Sequence, residues 1–295
     1  MEEPTSHKLD VCIVTWRSRD LLRACLQALD GKREVGDIVV VDNASGDGTV
    51  EMVRGEFPNV RLIANDGNLG FAAANNQGLR ATQAPFVLLL NPDTEVQEGA
   101  LEALLARFEE SNEIAAVAPQ LILPSGEIQR SCRSFPRPGA VLLDALGLWR
   151  VMPGGKLLGG YRMTYWDHDS RREVEQPMAS ALALRRRALE ETGLFDEDFP
   201  LYFNDVDLCY RLREAGWKIV FEPAAQVIHY YGHSSTWQVR PAAIVESHRS
   251  LIRFYRKHYR GRIGCLGYWP VVSAAWLTMW PRAVLASIAQ RLLRS

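Results

Sequence analysis

The chain has 295 residues, 47% hydrophobic and 23% charged, with a formal net charge of −1. This supports one large α/β domain, or one domain with an appendage, and excludes a molecule-wide nucleic-acid footprint. Five scattered cysteines without a CxxC pair argue against a disulfide framework or a zinc cluster and favour a reducing compartment.

The first eight residues, MEEPTSHK, are acidic and polar and carry no apolar signal-peptide core. Residues 9–16 then form an apolar run of strand length. Leu21, Leu22, Cys25, Leu26 and Leu29 recur at helical spacing. Residues 37–42 (DIVVVD), 60–64 and 86–90 (FVLLL) read as further strands, the first almost wholly apolar, as a strand buried on both faces is. Helical patterns over 49–57, 71–82 and 99–108 alternate with them. This β-α-β-α-β-α-β order predicts a mostly parallel sheet with helices on both faces. Residues 121–129 suggest a hairpin around Pro124-Ser125-Gly126. Residues 136–175, rich in Gly, Pro, Arg and aromatics, suggest a long loop. A strand over 181–185, a helix from Asp205 and a strand over 218–222 follow. Cys12, Cys25 and Cys209 lie within apolar patterns and read as small core residues.

The tail has a different composition. Residues 246–259 form a basic helical pattern. Residues 263–281 carry no formal charge, hold Tyr268, Trp269, Trp276 and Trp280, and are interrupted by Pro270 and Pro281. Those prolines and the flanking arginines point to an in-plane or re-entrant membrane contact rather than a clean span. The plainer alternative is a helix packed on the domain or on a second copy. The expected division is 1–240 for the α/β domain, with halves 1–120 and 121–240, and 241–295 for the tail.

Ligands of parallel α/β sheets sit beyond the carboxyl ends of the strands. That directs attention to Thr15-Trp16, Asp42-Asn43 and Asn91-Pro92-Asp93. A carboxylate at Asp93 suits a divalent cation that neutralises a diphosphate, although an Asx-rich turn explains the triplet alone. Asp42 is placed to accept a hydrogen bond from a nucleobase, and Ser45 or Asp47 to cap the next helix. Residues 65–76 open a helix with glycines and small residues, where backbone amides favour anions. The Gly67-x-x-Gly70 spacing follows the third strand rather than the first, against a dinucleotide fold.

Downstream, Asp205 shares a helical face with Leu208, Cys209 and Leu212 and so points inward or into a cleft, a general-base position. Asp207 falls on the other face, expected to be solvated and paired with Arg211. His229 ends a strand-like run and can join Asp93 at a metal, with His233 a lesser candidate.

In this order, IVTWRS, VVVDNASGDGT, NLGFAAANNQG, LLLNPDTE, GLFDEDFPLYFNDVDLCYRLREAGW and VIHYYGHSS resemble family 2 inverting glycosyltransferases of the GT-A fold, closest to the bacterial rhamnosyltransferase-like branch. The resemblance spans residues 9–260. It implies that Thr15, Trp16 and Asp42 hold the nucleoside, and that Asn68, Gly70 and Asn75 line the sugar-nucleotide pocket. It also implies that Asn91 and Asp93 meet the diphosphate, that Asp93 and His229 bind Mg²⁺ or Mn²⁺, and that Asp205 is the catalytic base. The implied donor is a dTDP- or UDP-sugar and the implied acceptor a glycan or polyprenyl-linked glycan, at the inner face of the cell membrane. Two positions depart from the family pattern. Asn91 replaces the first carboxylate of the metal motif, and Asn204 replaces the acid before the base. A nucleotidyltransferase would carry a Gly-rich basic loop after the first strand, and Thr15-Trp16-Arg17-Ser18-Arg19 lacks glycine. A non-catalytic sugar-nucleotide binder would have no use for an inward Asp205.

Overall fold

The computed structural model describes residues 9–152, 154–230 and 241–292. The elements in chain order are β1 (Leu9–Thr15), α1 (Arg19–Leu29), β2 (Val35–Asp42), α2 (Thr49–Glu56), β3 (Arg61–Ala64), α3 (Phe71–Ala81), β4 (Phe86–Leu90), β5 (Thr94–Val96), α4 (Ala100–Glu110), β6 (Ile114–Ile122), β7 (Ile128–Gln129), β8 (Cys132–Arg133), α5 (Pro138–Ala145), β9 (Arg172–Glu173), β10 (Gln176–Pro177), β11 (Ala181–Arg185), α6 (Arg186–Thr192), α7 (Asn204–Glu214), β12 (Lys218–His229), α8 (Pro241–Phe254) and α9 (Gly264–Leu292). Chain contacts define two compact units. One comprises Met1–Cys132, Asp167–Pro200 and Asn204–Tyr230; the other comprises Arg133–Trp166, Leu201–Phe203 and Tyr231–Ser295. The segment Arg133–Trp166 thus groups with the tail, which the expected division at 240 did not anticipate.

The first unit is built on one sheet in the order β3-β2-β1-β4-β11-β6-β12-β5. β3, β2, β1 and β4 run parallel, as the alternating pattern predicts. β11 enters antiparallel to β4 and β6, β12 is parallel to β6, and β5 closes antiparallel to β12. The predicted hairpin is present as β6–β7, with Leu121 opposite Gln129. β1 is buried along its whole length; Leu9, Val11 and Ile13 pack with Leu22, Cys25, Leu26 and Leu29 of α1 in the main core, and Val14 packs on the opposite face with Ala74 of α3. Burial at roughly 25 cal/mol per Å² of apolar surface makes this core the dominant stabilising term.

The end of the sheet away from the strand carboxyl ends is tied by Asp10, whose side chain is buried. Its Oδ1 accepts from the backbone N–H of Asp37 (2.9 Å), and its Oδ2 accepts from those of Gln83 (2.6 Å) and Ala84 (2.8 Å). Asp10→Ala leaves three N–H donors without their acceptor, a loss on the order of 3 kcal/mol. Urea unfolding should show a lower midpoint at unchanged slope. α3 approaches β1 at Gly78, where any Cβ would fall 2.2 Å from Cys12 Sγ.

The cysteines take their expected place. Cys12, Cys25, Cys132 and Cys209 are buried and free, and Cys265 is exposed. Burial pushes the thiols of Cys12, Cys25 and Cys132 up to about 12 and that of Cys209 well above its ordinary value. Thiolate reagents at pH 8 should therefore label Cys265 quickly and the other four only after unfolding. Fast labelling of a second thiol in the native protein would contradict this packing.

In the second unit, α9 packs on α8 and α5. Pro270 and Pro281 lie inside a continuous α9, contrary to the expectation that they break it. Both rings sit at exposed positions, so the carbonyls they leave unbonded lie on the outer side of the helix, where the turn need not close on a packed neighbour.

Candidate functional site: the carboxyl ends of the strands

The carboxyl ends of β1, β2 and β4 lie along one sheet edge, because Thr15 is the register partner of Asp42 and Ile13 that of Leu90. Three buried polar atoms on this edge have no hydrogen-bond partner among the described residues: Thr15 Oγ1, Asp42 Oδ1 and Ser180 Oγ. Each such atom costs about 1–3 kcal/mol if left unsatisfied, and a cluster of them at a strand edge marks a ligand-facing surface. The other Asp42 oxygen accepts from the Ser45 N–H (3.1 Å). Ser180 escaped sequence reasoning. It precedes β11, and its carbonyl accepts from the Asn91 N–H (2.8 Å). The only signal was a small polar residue directly before an apolar strand.

The loops after β1 and β2 hold each other. Arg17 N–H donates to Ser45 Oγ (2.9 Å), and Arg19 N–H to Asp47 Oδ2 (3.3 Å). Arg17 and Ala44 both have positive φ, at 53° and 58°, a strained arrangement that clusters at functional sites. Asp47 closes the first turn of α2 by accepting from Thr49. Partial burial works to raise its carboxyl, but donation from Thr49 and from the Arg19 N–H outweighs this and holds it below its usual value. Ser45 serves Arg17 rather than the helix end, and the N-cap position is Gly48, so neither predicted residue occupies it, although Asp47 bonds the Thr49 N–H at the start of α2. Trp16 is half-buried, with the Arg17 guanidinium 5.0 Å from its ring centre.

The glycine-rich segment departs from expectation in two ways. The first amides of α3 are already bonded: Phe71 N–H (2.7 Å) and Ala72 N–H (3.4 Å) donate to the Pro200 carbonyl. They form no open anion cradle, because the chain supplies its own acceptor. Asn75, which the resemblance places in the pocket, is turned into the core. Its amide donates to Phe71 O (2.9 Å), and Cys12 Sγ lies 3.8 Å from its Oδ1. Asn68 is exposed and accepts from the Gly70 N–H (2.9 Å). Gly70 has φ +83°, and a Cβ there would meet the Pro200 carbonyl oxygen at 3.0 Å. It is needed to admit the Pro200 segment.

Asn91-Pro92-Asp93-Thr94 links β4 to β5. Thr94 Oγ1 closes the turn on Asn91 O (2.7 Å). β5 pairs with the end of β12, with Thr94 opposite His229, and the Tyr230 N–H donates to Asp93 O (2.9 Å). This register brings Asp93 and His229 together as the resemblance implies. His229 Nε2 stands 3.5 Å from Asp93 Oδ1, with the side chains 3% and 1% exposed. That separation is longer than a charge-assisted hydrogen bond and close to the roughly 3 Å between neighbouring ligands of one cation. On its other side, His229 Nδ1 lies 2.7 Å from Gln129 Oε1. With Nδ1 donating to Gln129, the Nε2 lone pair faces the carboxylate, the second-sphere arrangement of a metal-binding histidine. The two residues therefore fit a divalent cation. Among the described residues no cluster of three or more His, Cys, Asp or Glu exists to hold one by protein groups alone. His233 lies outside the described residues.

α7 corrects the helical-face argument. Asp207 is not solvated: its side chain is fully buried and pairs with Arg211 (2.8 Å). Arg211 also donates to the carbonyls of Thr192, Gly193 and Leu194 at the end of α6 and just after it. The pair with Arg211 was expected; its burial was not, because α7 is covered on nearly all sides rather than along one stripe. Asp205 is half-buried in the first turn of α7. Its Oδ1 accepts from the Val206 N–H (2.8 Å), and its own N–H donates to Asn204 Oδ1 (2.7 Å). The helix N-terminus stabilises a carboxylate there. Asn204 is buried, so the neutral side chain suits a position where a second carboxylate would be costly.

Residues 10–144 match the family model for glycosyl transferase family 2. The N-acetylglucosaminyl-diphospho-decaprenol L-rhamnosyltransferase of Mycobacterium tuberculosis is 31% identical over 235 residues, 76% of each chain. Among solved structures, the mannosyltransferase PcManGT from Pyrobaculum calidifontis, in complex with GDP-Man and Mn2+, matches with a TM-score of 0.57 at 19% identity, over 97% of this chain and 75% of its own. GalNAc-T7 with UDP, GalNAc and Mn2+ matches with a TM-score of 0.59 at 15% identity, over 84% and 48%. These likenesses establish the GT-A-like fold. The chain belongs to glycosyl transferase family 2, in its rhamnosyltransferase-like branch, and is a glycosyltransferase.

Proposed function

We propose that the protein is an inverting glycosyltransferase. It moves a sugar, rhamnose by similarity, from a dTDP- or UDP-linked donor to a hydroxyl of a lipid-linked glycan in surface polysaccharide synthesis. The observation that carries this reading is the shared sheet edge. Buried Thr15 Oγ1 and Asp42 Oδ1 stand ready for a nucleoside, and the Asp93–His229 pair stands at a neighbouring strand end. Asp42, as an acceptor, suits the imide N–H that uracil and thymine share. Trp16 flanks the same loop. Ser180 and Asn91, joined by the Asn91 N–H to Ser180 O bond (2.8 Å), stand at the end of β4 that leads to Asp93.

Asp205 takes the proton of the acceptor hydroxyl as that oxygen attacks the anomeric carbon from the face opposite the leaving group. The bond from the anomeric carbon to the diphosphate oxygen breaks, and configuration inverts without a covalent intermediate. Asp93 and His229 would hold a divalent cation, whose charge offsets that of the departing nucleoside diphosphate. A carboxylate with an imidazole suits Mn²⁺ better than Mg²⁺, which prefers oxygen ligands. The acceptor class follows the decaprenol-linked substrate in the name of the Mycobacterium tuberculosis relative, and the basic tail is proposed as the contact with the cytoplasmic membrane surface.

A panel of dTDP-, UDP- and GDP-sugars, assayed by release of the nucleoside diphosphate with Mn²⁺ present, tests the reading. Turnover with a dTDP- or UDP-sugar and none with GDP-sugars is expected. Binding without release from any donor would leave a non-catalytic sugar-nucleotide binder.

A further inference from the structure

We propose that α9 lies flat in the headgroup–acyl boundary of a bilayer, as an in-plane anchor and not as a span. This extends the reading of a membrane-borne acceptor but stands on the helix alone. Donor hydrolysis, which needs no membrane, therefore tests the one without the other.

α9 has two faces. Tyr268, Val271, Val272, Ala275, Met279 and Ala283 recur at helical spacing and are buried within the second unit. Opposite them, Leu266, Trp269, Trp276, Leu277, Trp280 and Val284 are between 51% and 95% exposed. Arg282 is the single charged residue between Gly264 and Ile288, and it turns back to donate to Ala145 O (3.3 Å). The outer face is therefore an uncharged apolar stripe about 33 Å long, by 1.5 Å per residue from Leu266 to Ile288. A stripe of this size on a protein surface marks an interaction site.

Length and composition alone would also suit a bilayer span. Three observations select the in-plane arrangement. First, α8 packs along α9, and midway along α9 Thr278 Oγ1 meets His248 Nε2 of α8 at 3.4 Å. α8 carries Glu246, Arg249 and Arg253, and a spanning α9 would draw them toward hydrocarbon at about 2.5–3.5 kcal/mol for each arginine. Second, Pro270 and Pro281 leave the carbonyls of Leu266 and Leu277 without their helical donors. Water reaches such carbonyls at the interface, whereas a span would need a neighbouring helix or side chain to satisfy them, and these lie on the outer side of α9, away from α8 and α5. Third, tryptophan is the residue type of that boundary, and Trp269, Trp276 and Trp280 lie on one side of the outer face along the helix. Exposed Arg256, Lys257, Arg260 and Arg262 precede α9 and supply the attraction to anionic lipid, about 1 kcal/mol per basic residue near the surface.

The test uses the full chain with vesicles of phosphatidylcholine and phosphatidylglycerol in equal parts. The acyl chains carry bromine either near the headgroup or near the bilayer centre. From Trp269 to Trp280 the helix advances about 16 Å. In the plane, all three tryptophans share one depth: shallow bromine quenches strongly, deep bromine weakly, and each of Trp269→Phe, Trp276→Phe and Trp280→Phe removes a similar share of the shallow quenching. Replacing all three by Ala should weaken vesicle binding at least tenfold and leave donor hydrolysis without vesicles unchanged. Strong deep quenching that Trp276→Phe abolishes would show a span and overturn the proposal. Absence of vesicle binding, or a dimer that persists with vesicles and shields all three tryptophans, would overturn it equally.

Discussion

Asp205→Asn is expected to lower glycosyl transfer by about 10³-fold, the middle of the range for loss of a general base, while the donor dissociation constant changes less than about twofold. The substitution is conservative in the fold. Asparagine keeps an oxygen to accept from the Val206 N–H, and the helix start retains its Asn204 contact. What disappears is the basicity needed to take the acceptor proton. Single-turnover transfer with saturating donor and acceptor separates this effect from binding, because the loss falls on kcat and KM for the donor holds. Near-normal turnover in the Asn variant would remove Asp205 from the base role.

Asp93→Asn should reduce kcat/KM by about 10²- to 10³-fold, the range for removing one group that stabilises charge developing on a leaving group. It should also move the Mn²⁺ activation curve to at least tenfold higher concentration. Isosteric Asn is chosen because Asp93 is buried and a smaller residue would disturb packing around His229. EDTA should stop the wild-type reaction and added Mn²⁺ restore it. His229→Gln should have the smaller effect of the two, since it removes a neutral ligand and leaves the charge in place. Turnover indifferent to EDTA would exclude a metal at this pair.

The two variants also separate what sequence could and could not reveal. β1, β2 and β4 were legible because strands covered on both faces read as apolar runs, and their ends brought Thr15, Asp42 and Asn91 into view; β3, partly exposed, showed only as a short apolar stretch. β6 was missed except for its hairpin end. Its run Ala115-Ala116-Val117-Ala118-Pro119 lacks β-branched density and carries a proline, which ordinarily marks an edge. The proline is tolerated because the rungs to β11 end at Val117. β5 has three residues and owes its existence to pairing with β12, a long-range contact with no local signature. That same pairing places His229 at Asp93, which the position of His229 after a strand-like run and the family resemblance both anticipated without showing the strand that joins them. Asp207 was misread because helical periodicity reports one apolar stripe, whereas α7 is covered on nearly all sides, so the expected pair with Arg211 is buried rather than solvated. The α3 amides were misread for a similar reason: their acceptor, Pro200, comes from more than a hundred residues away.

Thr15 Oγ1, Asp42 Oδ1 and Ser180 Oγ carry a last consequence. The unliganded fold bears the cost of three unanswered polar atoms, and a ligand that answers them refunds it to the native state alone. Melting temperature thereby becomes a reporter of ligand identity. A nucleotide present at a hundred times its dissociation constant adds about 2.7 kcal/mol to stability. The cognate base can thus be recognised by thermal shift before any acceptor is known, and the Ser180→Ala protein, with one such atom fewer, should start from a higher baseline.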